Sequence, residues 1–253
     1  MPEQDQGHPA QSQRARYELL YLFLASTFSV VLVLTNVIGI KLFVNPLNPE
    51  SALTAGLITY PLTFLMTDLV SELYGAKRAN YMVILGFLMS LVMLIITQLA
   101  VALPPHPAWV PPEGAFFDTL EGYQRGFASV FALNGVLLFA SMSAYLAAQL
   151  IDVWLYHFWK RVTQGRHLWL RNNGSTLFSQ LVDTFIVGTL FLCWGLGLDW
   201  SLALSIMIGN YTVKLLIALC DTPLIYLSVW GIRRILGVPP IEEVEAATPH
   251  KGL

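Results

Sequence analysis

The sequence predicts an all-α polytopic membrane protein with six transmembrane helices and both termini in the cytoplasm. Three observations carry that expectation. Of 253 residues, 55% are hydrophobic and only 12% charged, with a mean hydropathy of +0.60; a soluble domain carries about a quarter charged residues. Six apolar runs reach the roughly 20 residues that a helix needs to cross the hydrocarbon. Finally, Lys and Arg gather in alternate connections between these runs, the pattern of cytoplasmic loops.

The chain divides into a polar tail (residues 1–16), a six-helix membrane domain (17–236) and a disordered tail (237–253). The first run, 17–44, is about 28 residues long, too long for a signal-peptide core and without a small-residue cleavage site, so it is read as a retained span. The second and third runs are 53–74 and 80–103, separated by Lys77 and Arg78. The proline-rich connection PPHPAWVPPEGAFFDTLEGYQ follows, acidic and therefore external. The fourth run, 127–156, ends before Lys160, Arg161, Arg166 and Arg171. The fifth and sixth are 175–197 and 202–226; apolar sequence continues to Leu236, so a break or kink at Pro223 with a short interfacial helix is expected. Arg14 and Arg16 precede the first run, and Arg233 and Arg234 close the last. Net charge is only −2, and Cys193 and Cys220 lack metal or redox spacing.

Against this apolar background seven charged residues fall inside or at the ends of the runs: Lys41, Asp68, Glu72, Asp152, Asp183, Lys214 and Asp221. Each costs about 2.5–3.5 kcal/mol at a helix centre, so each must pair, face the bundle interior or line a wet cavity. Tyr60, Phe64, Asp68 and Glu72 follow at i, i+4, placing an aromatic pair and two carboxyls on one helix face. Glu72, close to Lys77 and Arg78, reads as an interfacial salt-bridge group, whereas Asp68 has no local partner. Ala140, Ala144, Ala148 and Asp152 form a small-residue ridge suited to close packing. QLID at 149–152 reappears as QLVD at 180–183, so Gln149 with Asp152 and Gln180 with Asp183 converge in the same half of the membrane. Asn210, Lys214 and Asp221 fall within an arc of about 40°. Lys214 either bridges to Asp183 or Asp68 or contacts a ligand directly. Asn36 is buried toward the outer half of the first run, and Lys41 can snorkel outward.

No catalytic motif accompanies these charges: HExxH and GxSxG are absent, and GLGLD at 195–199 has the wrong spacing and depth for an intramembrane aspartyl site. There is no nucleotide-binding loop and no basic patch for nucleic acid, and no cofactor or metal is expected. Carboxylates, amides and aromatic rings in one bundle suit a small planar polar ligand, since a carboxylate accepts two parallel N–H bonds and a ring stacks on a ring. The same groups also suit protons or Na⁺.

Three segments, YPLTFLMTDLVSELYGAKRA, AAQLIDVWLYHFWKRVTQGRHLWLRNNGSTLFSQLVDT and NYTVKLLIALCDTPLIY, resemble, in order, the hallmark segments of the bacterial queuosine-precursor transporter family, also called vitamin-uptake-transporter-like. The resemblance implies a non-enzymatic inner-membrane importer of 7-cyano-7-deazaguanine or its aminomethyl relative, 7-deazapurines with a guanine edge. It places the family-like polar positions at Asp68, Gln149, Asp152, Gln180, Asp183, Asn210 and Lys214. On that reading Asp68 and Asp183 recognise the base, Gln149 and Gln180 orient it, Tyr60 or Phe64 stacks on it, and Lys214 holds a carboxylate; Asn36 joins the substrate-binding set. The partners implied are the small-molecule substrate and the lipid bilayer, with homo-oligomerisation left open. The alternatives are a substrate-binding membrane subunit of an ATPase-driven vitamin importer, a membrane enzyme or lipid-handling protein, and charges that serve packing alone.

Overall fold

The computed structural model describes residues 8–39, 41–44, 52–109, 116–117, 119–131 and 135–236, and nearly all of them are helical. The disordered tail expected after residue 236 lies outside the described residues. The elements in order are α1 (His8–Ile38), a hairpin of β1 (Leu42–Val44) and β2 (Ala52–Thr54), a 3₁₀ turn (Ala55–Ile58), α2 (Tyr60–Ala102), α3 (Leu120–Phe131), α4 (Gly135–Val162), α5 (Leu168–Val187) continued by a π-helical stretch (Gly188–Gly195), and α6 (Trp200–Leu236). Among the described residues four helices are long and apolar enough to cross a membrane, within Ala15–Ile38, Tyr60–Ala102, Leu168–Gly195 and Trp200–Arg234.

At 43 residues α2 is about twice the length of one crossing. Gly75 divides it. This residue has φ 79° and ψ 174°, a backbone region open essentially to glycine alone. Contacts on either side show that the chain reverses there. Thr35 and Tyr17 of α1 meet Thr59 and Tyr74, so α1 runs antiparallel to residues 60–74. Glu18 and Asn36 meet Arg78 and Ser90, so α1 runs parallel to residues 76–102. Two apolar helices are thus joined by a turn of one residue, with Tyr17 and Tyr21 hydrogen bonding the carbonyls of Leu73 and Arg78 around it.

The same logic orients the rest. Residues 60–74, α4 and α6 run one way, since Thr67 and Glu72 meet Gln149 and Tyr156, and Tyr60 and Glu72 meet Lys214 and Arg233. Against them α5 runs the other way, with Arg171 and Ser179 beside Tyr156 and Asp152. The apolar core of Phe28, Val70, Met82, Val83, Val153, Tyr156 and Ile225 joins α1, α2, α4 and α6. The outer faces expose Leu, Ile and Phe while Asp, Gln and Ser are buried, the reverse of a soluble protein and what a bilayer requires.

Close packing depends on small residues. Ala144 and Ala148 are buried, as the ridge predicts; the side chain of Ala140 lies outside the described residues. A Cβ on Gly86 would press on Phe28, Leu32 and Tyr145, and one on Gly174 would lie 2.9 Å from the indole nitrogen of Trp159.

Four expected boundaries are corrected. The first run does not stay helical to Val44: α1 stops at Ile38, before Gly39, and Leu42–Val44 pairs with Ala52–Thr54. Short β-branched and apolar stretches have the same hydropathy in strand or helix, and only the partner decides. The second helix accordingly begins at Tyr60, with Pro61 in its first turn, rather than at residue 53. The fourth run does not begin a helix at residue 127: residues 127–131 end α3, whose Tyr123 and Phe127 pack against Trp109, and α4 is described from Gly135 to Val162 rather than ending at residue 156. Pro223 does not break α6, which continues to Leu236. Neighbouring helices make an intramembrane proline tolerable; here Thr222 and Asn173 of α5 exchange hydrogen bonds of 2.7 and 3.1 Å beside it. At the other end of α6, Asp199 caps the helix through Ser201, whose hydroxyl and amide hold that exposed carboxyl below its usual range.

Candidate functional site

The polar residues of α2, α4, α5 and α6 form a ladder along the bundle, in tiers spaced by the 1.5 Å rise per residue. At the tier nearest the Tyr60 end of α2, Lys214 of α6 ion-pairs with Asp183 of α5, and its ammonium stands 5.2 Å from the ring centre of Tyr60. Tyr60 in turn packs on Phe64, with ring centres 5.6 Å apart. Of the two partners left open for Lys214, the structure selects Asp183. Asn210 is half-buried one turn further out on α6.

One tier inward, the Thr67 hydroxyl donates to the Thr63 carbonyl at 2.8 Å, with Gln149 Oε1 at 3.5 Å. Gln180 is buried, and its Oε1 has no partner among the described residues.

The third tier holds three carboxyls. Asp152 accepts from Ser179 at 2.9 Å. Asp68 is 1% exposed and Asp221 2%, and none of their four carboxyl oxygens has a hydrogen-bond partner among the described residues. Asp68 interacts electrostatically with Asp152, Asp221 and Glu72, and with the guanidinium of Arg171.

The tier nearest the Gly75 reversal centres on Glu72. It accepts from Arg171 at 2.7 Å, from Tyr156 at 3.1 Å and from Arg233 at 3.3 Å, with Lys160 at 3.5 Å. Arg171 also donates to the Gly165 carbonyl and to the Tyr156 hydroxyl. A cavity of about 590 Å³ opens beside this cluster, walled by Glu72, Arg171, Leu168, Tyr226, Trp230 and Arg233.

This arrangement sorts the expected site residues. Asp68, Gln149, Asp152 and Gln180 share the interior of the bundle, and Asp183, Lys214, Tyr60 and Phe64 form a neighbouring group towards the Tyr60 end of α2. Asn36 lies apart, donating to Ser90 at 3.2 Å between α1 and the second half of α2. Glu72 does not pair with Lys77 or Arg78 as expected: Arg78 makes a two-pronged pair with Glu18, leaving Glu72 to helices distant in sequence. Nor is Arg171 part of a solvated basic connection, because it is buried in α5. Two contributions went unassigned in the sequence. Ser179, which donates to Asp152, belongs to a stripe of Asn172, Ser175, Thr176, Ser179, Gln180 and Asp183, a helical periodicity visible in the residues themselves. Asp221 reads from the sequence as an intramembrane charge, and its burial without a partner among the described residues adds it to the site.

A helical bundle with long apolar helices, apolar outer faces and a polar interior defines a polytopic membrane protein. More particularly, the chain belongs to the putative vitamin uptake transporter family, whose model matches residues 54–228. It is 30% identical to the probable queuosine precursor transporter of Bacillus subtilis (strain 168), over 68% of this chain and 70% of the relative. With the queuosine precursor transporter of Escherichia coli (strain K12) it shares 27% identity over 87% of this chain and 89% of the relative. A probable queuosine precursor transporter of Haemophilus influenzae is 25% identical over 53% of this chain. No solved structure matches the chain.

Proposed function

We propose that this protein is an inner-membrane importer of queuosine precursors, 7-cyano-7-deazaguanine or 7-aminomethyl-7-deazaguanine, crossing the membrane six times with both termini in the cytoplasm. The six crossings would be α1, the two halves of α2, α4, α5 with its π-helical extension, and α6. Their alternating directions support this topology, and the clustering of Lys160, Arg171 and Arg233 at the Glu72 end supports a cytoplasmic position for that end.

The observation that carries the reading is Asp68: a buried carboxyl, unpartnered on both oxygens among the described residues, in the interior of a bundle whose relatives are named queuosine precursor transporters. A guanine edge presents two parallel N–H donors, which match two carboxylate oxygens. Gln149 and the free Oε1 of Gln180 lie one tier outward to orient the ring, and Tyr60 and Phe64 offer faces for stacking. Asp183 is engaged by Lys214 and serves to hold that cation.

Uptake of labelled precursor into cells unable to synthesise it tests the proposal. Deletion of this gene, with no second importer present, should abolish uptake; unchanged uptake overturns the reading. Each bond to a charged acceptor contributes about 1.5–3 kcal/mol, so Asp68→Asn should weaken uptake at least tenfold at normal expression. Full activity in that variant would remove Asp68 from the recognition role.

A further inference from the structure

Asp68 of α2 and Asp221 of α6 are the two most deeply buried carboxyls among the described residues, and both lack hydrogen-bond partners there. Every helix packed on Asp68 contributes to its surroundings: Asp152 from α4, Asp221 from α6, Arg171 from α5 and Glu72 from its own helix. The acid of α1, Glu18, is taken by Arg78. The one cation in this set, Arg171, already donates to Glu72, Tyr156 and the Gly165 carbonyl. Asp152 has a hydroxyl donor in Ser179, whereas Asp221 has none among the described residues. Beside Asp221, Thr222 is tied to the neutral Asn173.

Three carboxyls are thus buried within electrostatic reach of one another, and the one cation in reach is already engaged. Two ionised, unpaired carboxylates in such a place each carry a desolvation penalty and also repel one another. A single proton on one of them removes the repulsion and one of the two penalties. Among the described residues, no three His, Cys, Asp or Glu side chains are placed to hold a metal ion.

From this geometry we infer that Asp221 and Asp68 form the coupling pair of a proton-driven symporter, Asp221 carrying the proton while Asp68 accepts the N–H edge of the solute. The inference rests on the transport reading above and adds its energy source. In each cycle an O–H bond forms on Asp221 with a proton from the outer side and breaks to water on the inner side. One positive charge crosses with each neutral solute molecule, and no electrons move. Coupling arises because an ionised Asp221 opposes the charge that Asp68 needs in order to bind. The cavity beside Glu72 and Arg171, about one turn of α2 further in, supplies the watery exit.

Purified protein in liposomes, with labelled 7-cyano-7-deazaguanine as the probe, separates the two readings. Exchange of labelled for unlabelled probe at equal pH tests transport alone, and without exchange both readings fall. Accumulation under an inside-alkaline gradient tests coupling: at one proton per molecule, one pH unit should concentrate the probe about tenfold, and a protonophore should abolish this. In Asp221→Asn the ratio of gradient-driven accumulation to exchange should fall at least fivefold, and Asp221→Glu should restore it. Exchange without accumulation, accumulation driven only by a sodium gradient, or an unchanged ratio in Asp221→Asn overturns the inference while leaving the transport reading intact. Because the wild-type gradient experiment needs no variant, poor folding of Asp221→Asn cannot shield the proposal.

Discussion

Replacing Glu72 by Gln should be among the most damaging isosteric changes in the chain, because its carboxylate serves cations from three helices. The contributions are unequal. Glu72 and Arg171 are 2.7 Å apart with side chains only 7% and 4% exposed, whereas Lys160 and Arg233 are 22% and 39% exposed. Removing one partner of a buried pair strands the other charge and costs about 3–5 kcal/mol, while exposed pairs contribute about 0–1 kcal/mol each. The loss in Glu72→Gln should therefore come mainly from Arg171, which would retain only Tyr156 and the Gly165 carbonyl. For a chain of this size that corresponds to a fall in Tm of about 10 °C. Reversible unfolding of the purified protein in detergent would measure it, and double-mutant cycles would apportion it. Coupling between Glu72→Gln and Arg171→Gln should reach about 2–3 kcal/mol; coupling to Lys160→Gln should stay below about 1 kcal/mol. A loss under about 1 kcal/mol, or equal coupling to Lys160 and Arg171, would refute the burial argument.

Two further outcomes follow from the same structure. Lys214→Met should strand the Asp183 carboxylate and reduce stability by about 3–5 kcal/mol, and adding Asp183→Asn should recover most of that loss in the same assay; failure to recover would mean that Lys214 stabilises something other than Asp183. Gly75→Ala should cost about 1–3 kcal/mol, since φ 79° with ψ 174° is closed to residues bearing a Cβ. A thermal unfolding series that shows no loss would contradict the one-residue reversal.

Much of the architecture was legible because membrane helices announce themselves by length and composition. The weak points were local. LFV at 42–44 carries the same hydropathy as the helix before it, and nothing short of its pairing with Ala52–Thr54 reveals a strand. Pro223 reads as a breaker, yet the surroundings of α6 let the helix continue. The i, i+4 series of Tyr60, Phe64, Asp68 and Glu72 correctly put four polar or aromatic groups on one face, three of them buried, but periodicity on one helix cannot say what the next helix presents.

That division runs through the whole molecule. Hydrophobic run length, alternating basic connections and the intramembrane cost of charge are properties of single segments, so the amino-acid order alone determined the helical membrane class, the buried polar face of α2 and the family resemblance. Pair formation depends on which helices touch and at what depth. Only the tertiary structure decided that Lys214 takes Asp183, that Arg171 and not Lys77 or Arg78 neutralises Glu72, and that Asp68 is buried with no hydrogen-bond partner among the described residues. Coulomb and hydrogen-bond energies act over a few ångströms, and residues as far apart in sequence as Glu72 and Arg233 come within that range only after the helices have packed.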